Sequence, residues 1–414
     1  MLPFFCLWQK KEKVVKRKGN KKKMIILIII LIIIILLSGI YIKGGAEIMK
    51  INKILLETNK KYIIDIKDSS SNFDENNLVF ANTPVTYTKY KLLDFPYLKY
   101  ILHHDDLKRI FFEVADFKVD ISNEKYEASA GKWLDSTFCG EHVTLKITEW
   151  MSYYFTALVD YFQEECRMYC KRVNAKTDFH QFFDENKKIL EKKIKKPITY
   201  QKILDTIYSS KYTLCSEFDP IWLTNMIPIF EKQSGPIKNM LDMSAGRGAR
   251  MMACAALGIN YLGIDPCECA HKNFPLMKKY VKFLGVKSEV EFIKSGFEED
   301  WKMPEYFKGK QFDLMFTSPP YFDLEIYEDT PGQSIKKFSN IENWLENFLK
   351  VCMVKILSLL RPGGIMAMNI DNPIKLNMDY VNPMLKFKFE DADYLGCIRI
   401  SYKQHYHTWC WQKK

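Results

Sequence analysis

From about Phe218 to the C-terminus, short apolar runs alternate with helical stretches, and this rhythm constrains the fold more than any other feature of the chain. The runs cover residues 239–242, 261–264, 289–293, 312–316 and 365–370. Such runs are too short for helices and read as strands. Strands buried on both sides and joined through helices imply a parallel sheet. Residues 341–360 read as a helix, with Trp344, Leu345, Phe348, Leu349 and Cys352 on one face, stopped by Arg361-Pro362-Gly363-Gly364. Residues 394–402 and 406–411 are expected to add a terminal hairpin. The predicted class is α/β: a doubly wound, mostly parallel sheet with a C-terminal antiparallel hairpin.

In such a sheet, ligands gather at the carboxyl ends of the strands. Three strand ends carry residues suited to this. The first strand runs into Asp242-Met-Ser244-Ala-Gly246-Arg-Gly248, where the glycines allow a tight turn and close backbone approach to a ligand. A plain strand–turn–helix explains Gly-x-Gly equally well. Asp265 ends the second strand, 17 residues after Gly248. An acid near this spacing accepts hydrogen bonds from ribose hydroxyls, although a strand-end Asp also serves as a turn cap. The fourth strand runs through Thr317 into Ser318-Pro319-Pro320-Tyr321. The prolines cannot continue a ladder and stiffen the loop. They hold a hydroxyl and neighbouring carbonyls towards one point beside an aromatic ring, which suits a planar amino group on a stacked ring.

With these residues in place, the segment from 215 to 414 resembles the S-adenosylmethionine-dependent DNA amino-methyltransferases, the N4-cytosine/N6-adenine type on the class I (Rossmann-like) methyltransferase fold. The continuation Phe322-Asp-Leu-Glu-Ile-Tyr327, with Gln333, Ser334 and Trp344, resembles members from phages and large DNA viruses. The resemblance implies Ser318, Pro319, Pro320 and Tyr321 as the catalytic tetrad. It implies cofactor contacts from Asp242, Ser244, Gly246, Gly248, Asp265, Phe297 and Thr317. Phe218 and Pro220 resemble the segment closing over the methionine part. The implied cofactor is S-adenosylmethionine, and the implied partner is DNA with its target base flipped out, as in restriction–modification. No metal is implied. Two features depart from the family: the first motif has Met243-Ser244 where Pro-Phe is common, and only 93 residues follow Tyr321. The latter leaves no room for a C-terminal target-recognition domain, so residues 49–214, a mixed α+β region with strand-like pieces at 61–66 and 142–147, are the expected place for one. Related loops also methylate RNA bases and protein glutamine. A membrane-anchored binding protein with an idle methyltransferase-like domain is the reading from another class. The lone Pro-Cys pair, Pro266-Cys267, follows the second strand and reads as structural rather than as a 5-methylcytosine nucleophile.

Residues 1–48 stand apart. They contribute +8 of the formal +11, leaving the other 366 residues at about +3, so the high pI is no nucleic-acid footprint of the folded part. Residues 24–42 carry no charge and follow Lys21-Lys22-Lys23. They read either as a single membrane anchor or as translated upstream sequence before a start at Met49. The segment 187–196 reads as a basic helix with a solvated face, or as a phosphate-contacting one. Eleven cysteines without C-x-x-C spacing argue for a reducing, intracellular setting and against a Cys-type zinc site.

Overall fold

The computed structural model describes residues 104–124, 137–147, 155–156, 158–163, 166, 171–172, 218–322, 325–327, 330–372, 379–401 and 405–414. The apolar run 24–42, the strand expected at 61–66 and the basic segment 187–196 lie outside the described residues. Among the described residues no helix is long and apolar enough to cross a membrane.

The first described elements are α1 (His104–Asp116), β1 (Asp120–Ser122), β2 (Thr144–Lys146) and β3 (Lys171–Arg172). There follow α2 (Pro220–Ser234), β4 (Asn239–Asp242), α3 (Ala249–Ala256), β5 (Asn260–Ile264), α4 (Glu268–Phe283) and β6 (Val290–Ile293). Then come β7 (Phe312–Thr317), β8 (Glu325–Ile326), α5 (Ser334–Lys337), α6 (Ile341–Trp344) and α7 (Lys350–Leu359). The chain ends with β9 (Leu360–Asn369), α8 (Val381–Leu385), β10 (Ala392–Ser401) and β11 (His405–Lys413).

The main sheet has the order β1-β2-β10-β11-β9-β7-β4-β5-β6. The neighbours from β6 to β9 pair in parallel, and β11 is antiparallel to both β9 and β10. The chain starts at β4, winds outward through β5 and β6, then returns past β4 to β7 and β9. The strand order therefore reverses between β4 and β7, and the crevice at their carboxyl ends is the topological switch point. This is the Rossmann-like class I methyltransferase fold with its terminal hairpin, as the alternation of apolar runs implied.

Alternation along the central strands sends side chains into two cores. Leu241, Met315 and Met366 join Trp344, Phe348, Met353 and Ile356 on one face. On the other, Phe316 meets Phe230 of α2 at 6.4 Å and Phe218 at 5.4 Å. Every residue of β7 is buried. Full burial is worth about 1.5–3 kcal/mol for each large apolar side chain. At the amino edge, Asp313 ties three strands together. It accepts from the Lys238 and Asn239 N–H groups at 2.8 and 2.9 Å and pairs with Arg361 Nε at 2.6 Å. That pairing explains why β9 begins at Leu360 rather than Ile365: residues 360–364 continue along β7 past a bulge. The helix expected over 341–360 also has an internal irregularity, a π turn at Leu345–Leu349 between α6 and α7.

The nine-stranded width was not foreseen. Residues 142–147 were expected to be strand-like, and β2 pairs in parallel with the outer side of β10, so it belongs to this sheet. Phe138 bridges to Gly396, and the Cys397 N–H donates to the Thr137 carbonyl at 2.9 Å. Gly396 has φ +103, and a Cβ there would lie 1.6 Å from that same carbonyl oxygen. Only glycine lets the two backbones meet.

Candidate active site

The carboxyl ends of β4, β5 and β7 bring together the three loops singled out in the sequence. The loop after β4 is organised by Asp242, which is fully buried. Its Oδ1 accepts from Ser244 N–H at 3.1 Å and from Thr317 Oγ1 at 3.0 Å. Its Oδ2 accepts from Arg250 Nε at 2.6 Å and from the Tyr261 hydroxyl at 2.7 Å. Four donors match the lone-pair capacity of a carboxylate. Asp242 and Thr317, expected among the cofactor contacts, thus spend their polar side-chain atoms on each other and on the loop. Together they shape the turn. Burial, and next the charge of Asp242, push the Tyr261 phenol well above its usual range, so it remains the donor.

Arg250 continues this knot. Its guanidinium also donates to the Ser244 carbonyl and lies 5.0 Å from the centre of the Phe218 ring. Phe218 stands just before Asp219, whose side chain caps α2 by accepting from Ile221 N–H at 3.1 Å, with Pro220 as the first helical residue. The segment before the sheet is thereby fastened onto the Gly-rich loop. Gly248, at φ +94, starts α3.

Asp265 lies beside this turn. Its Oδ2 accepts from Gly246 N–H and its Oδ1 from Cys267 N–H, each at 2.8 Å. One lone pair on each oxygen remains. The residue is 8% exposed. Burial pushes its carboxyl up to about 6, against the pull of those two N–H groups. Cys267 is buried with its sulfur 3.8 Å from that of Cys166, in keeping with a structural role. Phe297 follows β6 as expected. It is buried, with its ring 5.7 Å from that of Trp301 and Lys355 Nζ 5.5 Å from its centre.

Beyond β7, the tetrad turns sharply. Phe322 N–H donates to the Pro320 carbonyl at 2.9 Å, and Phe322 has φ +41, a left-handed conformation rare for a bulky residue. Its ring is held 6.4 Å from that of Trp344. Strain of this kind, of order 1–3 kcal/mol, persists where the surroundings over-determine it. Ser318 and Tyr321 are half-buried at the crevice. The Tyr321 hydroxyl donates to the Asn369 carbonyl at 3.4 Å, and its own carbonyl accepts from the Tyr380 hydroxyl at 3.3 Å. The tetrad is thus aimed by the end of β9 and by the residue before α8. Sequence reasoning missed Arg250, Tyr261, Asn369 and Tyr380. Only Arg250 left a signal, a cation in the first turn after a strand-end acid.

No protein-family profile matches the chain, and no curated protein matches it. Solved methyltransferase structures are similar to about half of it. A T. thermophilus 16S rRNA methyltransferase in complex with AdoMet and guanosine has 17% identity and a TM-score of 0.30, over 50% of this chain and 45% of its own. An rRNA methylase from Streptococcus thermophilus has 14% identity and a TM-score of 0.31, over 48% of this chain and 99% of its own. A magnesium protoporphyrin IX methyltransferase from Synechocystis with bound SAM has 8% identity and a TM-score of 0.32, over 47% and 79%. This chain therefore spans under half the length of the first of these. The fold assignment rests on the strand order, which needs no comparison.

Proposed function

We propose that the protein is an S-adenosylmethionine-dependent methyltransferase acting on the exocyclic amino group of cytosine (N4) or adenine (N6) in DNA. One observation carries this reading: Ser318-Pro319-Pro320-Tyr321 lies at the switch point, one strand from the Gly246–Gly248 turn and near Asp265. The residues fit the cofactor. Asp265 keeps acceptor capacity for ribose hydroxyls, and the glycine turn offers backbone at close range. Bound S-adenosylmethionine supplies an electrophilic methyl group.

The chain's own residues do the rest. Tyr321 offers a ring face to an extruded base. The Ser318 hydroxyl and the Pro319 carbonyl accept hydrogen bonds from the amine, which keeps the nitrogen lone pair directed at the methyl. Rate enhancement then comes from positioning and from fixed dipoles, with no covalent enzyme intermediate. The strained turn at Phe322 favours this reading over a passive proline cap.

The test incubates the full chain with labelled cofactor and, in separate reactions, mixed-sequence double-stranded DNA or RNA, followed by nucleoside mass spectrometry. N4-methylcytosine or N6-methyladenine supports the proposal. A methylated base in RNA alone, or no methylated base despite bound cofactor, overturns it. Ser318→Ala should retain cofactor binding and lose transfer by about 100-fold or more.

A further inference from the structure

We propose that Asp371 and His407 form a positioning pair that sets the orientation of Tyr321 through the end of β9. The inference rests on the reading of the 318–321 loop as the base-binding element. Asp371 Oδ2 accepts from the His407 N–H at 2.8 Å, and Oδ1 lies 2.5 Å from His407 Nδ1. Both side chains are largely buried. The His407 ring is stacked on Trp409, centroids 5.4 Å apart, and Arg399 of β10 is its cross-strand neighbour. With Nδ1 carrying the proton, the imidazole donates to the carboxylate and the contact is charge-assisted.

This pair joins the chain just past β9 to the start of β11. Asn369 and Ile370 are fastened to the same part of β11, and Asn372 is fastened to the residues at the start of α8. Asn369 Nδ2 donates to the His407 carbonyl at 3.3 Å and to Thr408 Oγ1 at 3.0 Å. Trp409 Nε1 donates to the Ile370 carbonyl at 2.9 Å. Asn372 Oδ1 accepts from the N–H groups of Tyr380 and Val381 at 2.7 and 3.1 Å. One hold on Tyr321 issues from this segment, and the other from Tyr380, which Asn372 fastens to it. The Asn369 carbonyl accepts a hydrogen bond from its hydroxyl, and the Tyr380 hydroxyl donates to its carbonyl. The Tyr380 ring meets the Tyr321 ring edge-on at 6.3 Å. A stacking ring misplaced by an ångström loses much of its value in catalysis. The pair touches no reacting atom, so its role is to position.

The experiment compares full-length wild type, His407→Leu and His407→Asn by hydrogen–deuterium exchange and by steady-state kinetics. Asparagine offers an N–H near the position of Nδ1, whereas leucine offers none. In His407→Leu, exchange should rise several-fold in peptides covering 317–322 and 369–372 and stay unchanged in β4 and β5. Its kcat should fall about tenfold with the cofactor KM unaltered, and His407→Asn should restore both. If His407→Leu does not fold, Asp371→Asn replaces it, with the same pattern expected. Unchanged exchange over 317–322, or equal loss with leucine and asparagine, overturns the proposal. The exchange readout needs no substrate: a wild type inactive on nucleic acid refutes the base-binding reading, while exchange still decides whether the pair holds Tyr321.

Discussion

Asp242→Asn replaces a carboxylate that four donors surround with a group able to accept from at most one oxygen. The new amide places N–H groups against either the Ser244 N–H and Thr317 hydroxyl or the Arg250 and Tyr261 donors. The Arg250 and Asp242 side chains are 5% and 0% exposed, so the arginine loses its counter-charge where water cannot replace it. Breaking a buried pair on one side costs about 3–5 kcal/mol. Arg250 keeps the Ser244 carbonyl and the face of Phe218, which argues for the lower end, about 3 kcal/mol. For a domain of this size that lowers Tm by about 6–12 °C. Urea unfolding of the full chain, followed by tryptophan fluorescence, should show a lower midpoint at unchanged slope. Tyr261→Phe removes a single donor and should cost about 1–3 kcal/mol. If Asp242→Asn loses less than about 1 kcal/mol, or no more than Tyr261→Phe, the carboxylate is not the tie between these elements.

Four further outcomes are expected. The folded Asp265 carboxyl lies near 6 against an ordinary 3.8, so the folded state holds the extra proton between these values. Its contribution is full below 3.8 and is lost as pH rises through 6, on the order of 3 kcal/mol, and Asp265→Asn should abolish that slope in pH-dependent unfolding. Hydroxyl donors favour the ionised form, so isothermal titration should find cofactor affinity rising from about pH 5 to 7 in the wild type and flat in Asp265→Asn. Gly396→Ala, whose Cβ would strike the Thr137 carbonyl, should release residues 137–147 from β10, seen as faster amide exchange there and in β2. Trp344→Ala, which empties a fully buried site against Phe322 and Tyr380, should cost about 3–5 kcal/mol and loosen the turn at Phe322, read by denaturation and by exchange at 317–322.

The sequence by itself determined the parallel sheet and the place of its crevice. Runs such as 261–264 carry no charged residue, and a strand of that kind is stable only between two layers. The glycine turn, Asp265 and the Ser-Pro-Pro-Tyr loop were legible because turn chemistry is local. Tertiary structure decided what those residues are bonded to. Asp242 read as a ligand contact, yet Arg250, Tyr261 and Thr317 converge on it from a helix and two other strands, and no spacing rule encodes a knot closed across strands. Nothing local to Gly396 encodes the close approach of the Thr137 carbonyl. The Asp371–His407 contact spans 36 residues and exists only because β11 runs antiparallel beside β9. Local pattern is set by side-chain period and backbone preference, which a single segment carries. Pairing between distant segments depends on which strands become neighbours, and that is settled only when the whole sheet buries its two faces.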